Sequence, residues 1–258
     1  MSRILPLLLL GVIILTLGLA GCNDDPEADT RKDTLGDPLG DITTLGNYFY
    51  AANEDWSGNA GSQVDLFKFD HEGFSEDSFG LGINGAGYLA AAADSHFVYL
   101  QAQDTGRLFK VSPVGEIAWV RNDPEASGSF LAQGITYDAV ADSFSFLYHH
   151  HGTTTYTITR LGPGCEGPIG SRHEVTLDAF STERGGQALA ILEGTHWILG
   201  TNADGGSTLQ GTSLDGTATL PMDLADDSAC GIAATVDGLW LAYPDRRFEL
   251  LSINTKVR

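Results

Sequence analysis

Basic side chains are scarce in this chain. Of 258 residues only 14 are Lys or Arg, against 34 Asp or Glu, for a formal charge of −20. Binding by phosphate neutralisation needs a basic footprint, so nucleic acid is excluded as a partner. Cysteine is rarer still, at three residues, too few for a scaffold built on disulfides. The 32 glycines follow no Gly-x-y period, which excludes a collagen-like chain. After the first two dozen residues no window of about 12 or more carries a 3.6-residue apolar period, so helices should be nearly absent. There is no Gly-x-Ser-x-Gly elbow, no EF-hand loop and no glycine-rich phosphate loop. What the chain does have is 42% hydrophobic residues, enough to build a core and to exclude a mainly disordered protein.

The N-terminus reads as an address. Arg3 opens a positive n-region, and Ile4–Ala20 is a 17-residue apolar run interrupted by Pro6 and ending in Leu19-Ala20-Gly21-Cys22. That length falls between a secretory h-region of about 7–15 residues and a spanning helix of about 20. The Leu-Ala-Gly-Cys ending resembles a bacterial lipobox. The resemblance implies a signal peptide over 1–21 and acylation of Cys22, palmitate included, on a lipid-anchored protein of the cell envelope. An uncleaved N-terminal anchor is the alternative. In lipoproteins of this type an aspartate directly after the cysteine implies inner-membrane retention. Here Asn23 stands there, so outer membrane is expected over inner. Loss of 1–21 removes Arg3 and no acid, leaving 13 basic and 34 acidic residues, a charge of −21. Residues 22–46, acidic and rich in Pro and Gly, suit a solvated tether. The folded domain is then expected over 47–258.

Five copies of one unit occupy that domain. Each has a short apolar stretch, a turn, an aromatic-rich alternating strand, a polar loop and a second alternating strand. Anchors in the aromatic strand at Tyr50, Tyr99, Phe146, Leu199 and Leu241 give steps of 49, 47, 53 and 42 residues. Short strands separated by Asp-Gly and Asn-x-x-Gly turns argue all-β. Copy two supplies four strands, at 87–93, 96–102, 107–112 and 115–121, which is one propeller blade. Small residues at Ala90–Ala93, Gly134, Ala188, Ala190, Ala233 and Ala234 suit crowded innermost strands, and the aromatics suit packing between blades. These units resemble the NHL-repeat, lactonase-like or YncE-like propeller group. The expectation is a single, monomeric β-propeller of about five four-stranded blades, with six blades or a β-sandwich as alternatives. The last copy ends after its third strand, near Ser252. Closure then requires an N-terminal strand within Asp41–Leu45, or an incomplete blade.

In a propeller the loops joining strands two and three share one face with the loops between blades, where ligand sites form. Those loops carry Glu54, Asp55, Trp56, Gln103, Asp104, Asn202, Asp204, Tyr243, Asp245 and Arg246, a polar face that could recognise a partner or simply be solvated hairpin tips. His149-His150-His151 stands out. On a strand, His149 and His151 share a side and could chelate a transition metal, or be surface histidines at a strand end. His71, His96, His173 and His196 are expected to be structural, and Asp65, Asp215 and Asp237 to serve turns. The lactonase-like resemblance implies a divalent cation on the axis held by a Glu, an Asn and an Asp, which by location would be Glu54, Asn202 and Asp204. Otherwise no cofactor is expected. Cys165 and Cys230 fall on opposite faces of non-adjacent blades, which disfavours a bridge although export permits one. The function expected is a membrane-anchored binding or scaffold module for a protein or glycan, with a lactonase-like hydrolase or lyase as the alternative.

Overall fold

A computed structural model describes residues 39–53, 64–83, 89–102, 106–123, 130–170, 172–182, 186–213, 215–251 and 253. The first blade is β1 (Leu39–Leu45), β2 (Tyr48–Asn53), β3 (Asp65–Phe69) and β4 (Ser75–Gly80), paired in that order. The second is β5 (Leu89–Ala93), β6 (Val98–Ala102), β7 (Arg107–Val111) and β8 (Ile117–Asn122). The third is β9 (Phe130–Asp138), β10 (Ser143–His150), β11 (Thr155–Leu161) and β12 (His173–Thr176). The fourth is β13 (Gly186–Leu192), β14 (Thr195–Thr201), β15 (Ser207–Thr212) and β16 (Met222–Asp223). The fifth has three strands among the described residues, β17 (Gly231–Thr235), β18 (Gly238–Ala242) and β19 (Phe248–Leu251). All pairings are antiparallel. The inner strands β1, β5, β9, β13 and β17 neighbour one another in sequence, and β17 returns to β1. This is a five-bladed β-propeller.

Period-two alternation explains why each blade is buried on both faces. In β10, Phe144, Phe146 and Tyr148 pack with Ala90, Ala92, Tyr99 and Leu108 of the second blade, whereas Leu147 turns the other way onto Leu189 and Ile198 of the fourth. The same sorting makes every seam. Tyr50, Ala52 and Leu66 meet Leu89, Ala91 and Leu100, and Ala188, Ala190 and Leu199 meet Ile232, Leu239 and Leu241. The seam between blades five and one is aromatic: Phe49 stacks on Phe248 at 5.0 Å and meets Trp240 edge-on at 5.2 Å, while Phe69 meets Phe248 at 5.3 Å. Ring pairs of this kind contribute about 0.5–1.5 kcal/mol beyond their burial.

Two expectations need correction. The opening strand of blade one is β1, so the propeller already includes Leu39–Leu45, ahead of the expected start at residue 47. Its sequence LGDITTL holds Gly, Asp and Thr, which match tether composition, yet its first five residues are buried. Nor does this segment complete the last blade. It pairs with β2 as the innermost strand of the first, and among the described residues blades five and one meet through the aromatic seam and through β17 against β1. A third difference is small: Asp65 begins β3 and its N–H donates to Asn53 Oδ1 at 2.7 Å, so it is a strand residue.

Candidate functional site

The axis of the ring is built from the inner strands. Three of them carry a β-bulge near the end at which the chain enters from the between-blade loops. In β1, Leu39 pairs with Asn53 and Ile42 with Ala51, so Gly40 and Asp41 oppose Ala52 alone. In β9 the extra residue is Gln133, and in β13 it is Gln187. A bulge leaves its extra residue off the ladder and re-aims its side chain. Asp41 shows the result. Its carboxylate is fully buried, with Oδ1 accepting the N–H of Ile42 at 2.9 Å and of Ile232 at 3.0 Å, and Oδ2 that of Ala91 at 3.2 Å. One side chain thus ties blades one, two and five through their axis-facing backbone. Burial pushes its pKa well above the ordinary carboxylate range, although the three N–H groups pull the other way.

Elsewhere the axis is filled. A Cβ added at Gly134 would lie 2.8 Å from Leu189 Cβ, and one at Gly231 would lie 2.8 Å from the Ile42 nitrogen. The remaining cavity is about 70 Å³, lined by residues of all five inner strands, including Thr43, Ala91, Thr136, Ala190 and Ala233. That is space for a few water molecules.

The loop face does not gather the sequence-derived residues into one site. Cys22, Glu54, Asp55, Trp56, Gln103 and Asp104 lie outside the described residues. His149 is fully buried; its Nε2 is 2.7 Å from the Thr153 carbonyl, its ring stacks on Tyr156 at 4.8 Å, and burial lowers its pKa. The strand ends at His150, so the alternation that would align His149 with His151 stops one residue short, and His151 is exposed in the turn. Asn202 organises its own hairpin, its Oδ1 accepting the N–H of Asp204 at 3.1 Å and of Gly206 at 2.9 Å, with Asp204 exposed at the tip. Tyr243 is buried, donates to Glu249 Oε2 at 3.0 Å and lies 3.9 Å under the Arg247 guanidinium. Burial, then Glu249, raises its pKa to about 12. Arg246 is buried with φ +66°. Among the described residues no three His, Cys, Asp or Glu side chains come together as metal ligands. For the axial cation implied by the lactonase-like resemblance, Asp41 is the carboxylate in place, and both its oxygens already accept backbone N–H groups. The described axis therefore does not fit that ion.

Sequence reasoning missed a buried polar cluster between blades two and three. Asp123, just after β8, accepts from Gln101 Nε2 at 2.5 Å and from the Tyr148 hydroxyl at 2.7 Å. The signal was a glutamine among the apolar positions of β6, where a polar side chain buried on a seam requires a partner. No disulfide joins Cys165 and Cys230. Cys165 packs into the seam between blades two and three, and Cys230 donates to the Ala242 carbonyl at 3.4 Å.

His196 and Ser145 resemble a catalytic dyad and are not one. Their Nε2 and Oγ are 2.9 Å apart, but both residues are buried in the seam between blades three and four. Among the described residues no carboxylate orients the ring, and Nδ1 has no partner there. Burial lowers the His196 pKa from 6.5 to about 4. A group whose folded pKa is depressed gives stability that is present above the unfolded value and lost as pH falls through the folded one. Chemical denaturation should therefore show wild type losing about 2–3 kcal/mol between pH 7 and pH 4.5 from this group. His196→Gln, which can still bond Ser145 without titrating, should flatten that slope. An unchanged slope would refute the assignment.

No family model matches the chain, and no curated protein does. Solved structures do match. The glutaminyl cyclase of Myxococcus xanthus is 15% identical with a TM-score of 0.56, covering 84% of this chain and 92% of that one. A chain of a nidogen/laminin complex is 10% identical at a TM-score of 0.50, covering 80% and 72%. The exo-β-1,3-galactanase of Phanerochaete chrysosporium is 12% identical at 0.51, covering 81% of this chain and 58% of the other. These likenesses show the propeller fold. They join enzymes and a member of a protein complex on one architecture, as expected where function resides in loops and not in the fold.

Proposed function

We propose that this protein is a lipid-anchored component of a bacterial cell envelope whose propeller is a binding module for another protein. The observation that carries the reading is the packed axis. Substrate-sized space on a propeller axis is what lactonase-like chemistry would use, whereas the cavity lined by the described inner strands is about 70 Å³ and the Asp41 carboxyl bonds the backbone of three blades. Two larger concave surfaces among the described residues lie away from the axis: a groove of about 310 Å³ between blades four and five, floored by Leu224, Leu241 and Leu251, and one of about 610 Å³ at the hairpin tips. Open, partly apolar grooves of this kind suit surface recognition more than catalysis, which favours an enclosed, water-poor site. The anchor rests on the Leu19-Ala20-Gly21-Cys22 resemblance.

Two measurements test the two halves. Palmitate labelling of the full chain in a bacterial host should mark wild type and fail on Cys22→Ser, with the variant leaving the membrane fraction. Photo-crosslinking in intact cells should then yield a discrete protein adduct. Metal-dependent hydrolysis of lactones by the purified protein, lost on substitution at the axis, would overturn the binding reading.

A further inference from the structure

Three first-to-second-strand hairpins stand side by side on the face opposite the between-blade loops. They join β9 to β10, β13 to β14 and β17 to β18, and between them runs the groove of about 610 Å³. Its wall is apolar, with Ile191, Leu192 and Ala234 between two valines, Val140 and Val236, that are fully exposed at the tips. A single exposed valine is ordinary. Two that flank one groove, on the third and fifth blades with the fourth between them, form a patch, and contiguous apolar patches mark interaction surfaces.

The tips are held in place. Asp138 Oδ1 accepts the N–H of Val140 at 2.9 Å and of Ala141 at 3.1 Å, and the Tyr137 hydroxyl donates to Asp142 Oδ1 at 2.7 Å. In blade five, Thr235 Oγ1 accepts from the Asp237 N–H and from Trp240 Nε1, each at 3.2 Å. Preorganised loops lose little entropy on binding. Among the described residues that line the groove, the charged side chains are acidic. Asp138 and Glu193 line the groove, Asp142 and Asp237 sit on the same hairpins, and no Lys or Arg is among the lining residues. Such a rim accelerates encounter with cations and rejects anions.

Resting on the binding-module reading above, we infer that this hairpin groove is the docking surface, and that its occupant is a segment of a partner protein carrying apolar side chains flanked by Lys or Arg. The apolar residues fill the groove between Val140 and Val236. The basic residues face Asp138, Asp142, Glu193 and Asp237.

The test uses the full chain in nanodiscs and a labelled ten-residue peptide of alternating leucine and lysine, read by fluorescence anisotropy, with a leucine–glutamate peptide as control. Wild type should bind the basic peptide, more weakly as salt rises, and ignore the acidic one. Val140→Ser with Val236→Ser should weaken binding at least tenfold, and Glu193→Gln with Asp237→Asn several-fold. Leu220→Ser, which alters an apolar residue 89% exposed and outside the groove, should leave affinity unchanged. Equal binding by the double-valine variant would overturn the inference, and so would concentration-dependent dimerisation lost in that variant, which would make the occupant a second copy. If the envelope crosslink survives the double-valine change, the groove is wrong and the binding module stands. If no adduct forms with wild type, the module itself is wrong.

Discussion

Asp41→Ala should be among the most damaging single changes in this protein. Alanine removes the acceptor for three buried backbone N–H groups, those of Ile42, Ala91 and Ile232. Each unsatisfied buried donor costs about 1–3 kcal/mol. Even with partial relaxation the loss should reach about 4 kcal/mol, a large share of the 5–15 kcal/mol that holds a typical domain together. Asp41→Asn should cost less, because the amide oxygen can still accept from Ile42 and Ile232. Its NH₂ would meet the Ala91 N–H as a second donor, so one bond is still lost. Urea unfolding of both variants checks the order, and an alanine variant within about 1 kcal/mol of wild type would show that the axis does not depend on this carboxyl. The two variants also differ in pH response. The Asp41 pKa is raised by burial, so its contribution is full below the unfolded value of 3.8 and is lost as pH rises towards the folded one. This is opposite in sign to His196, whose contribution is lost as pH falls. Asp41→Asn should remove the first dependence and leave the second.

Asp41 also marks where sequence reasoning stops. The blade repeat was legible because aromatic and alanine positions alternate with period two, and that pattern is the seam packing itself: Tyr50, Tyr99 and Phe146 each enter a seam cluster. The first inner strand was legible only in part: a strand within Asp41–Leu45 was expected to close the ring, and not to open blade one. It lies in a stretch where Asp37, Asp41 and three glycines give the composition of a tether, and nothing local marks Asp41 as buried while Asp33 or Asp37 belongs to the acidic run. Its partners are 50 and 191 residues away, and no pattern window reaches that far. The histidine triplet failed for a related reason. Alternation predicts shared sides only while the strand lasts, and β10 ends inside the triplet. The Gln101–Asp123–Tyr148 cluster spans 22 and 25 residues and two blades, so only the folded seam assembles it. Hairpin tips were legible as turns, but whether Val140 and Val236 stood alone or together depended on which blades are neighbours.

The second large effect concerns ring closure. In Gly231→Ala the new methyl would lie 2.8 Å from the Ile42 nitrogen, 2.9 Å from the Asp41 Cα and 3.0 Å from the Gly40 carbonyl oxygen. All three are backbone atoms of β1, so no rotamer change relieves the overlap and the strands must separate. Overpacking typically costs about 1–3 kcal/mol, occasionally more, and the upper end or beyond applies here. The displacement acts on the seam between blades five and one, and it also stretches the Asp41 bond to Ile232. Closure has no exchanged strand among the described residues to absorb that shift. It depends on Phe49, Phe69, Trp240 and Phe248 keeping their ring contacts. Trp240 is therefore a local reporter. Gly231→Ala should lower stability by at least about 3 kcal/mol, alter Trp240 emission under native conditions, and open the fifth blade to limited proteolysis before the other four. Gly46→Ala is the control. That glycine has φ +64° and nothing within 4 Å of an added Cβ, so it should cost only the left-handed backbone penalty of about 1–2 kcal/mol and leave Trp240 undisturbed. If the two variants are equally stable, close approach of β17 to β1 is not what closes the ring. If Gly231→Ala is much the worse and its damage starts in blade five, close approach of β17 to β1, with the Asp41 carboxyl and the aromatic seam, is what holds blades five and one together.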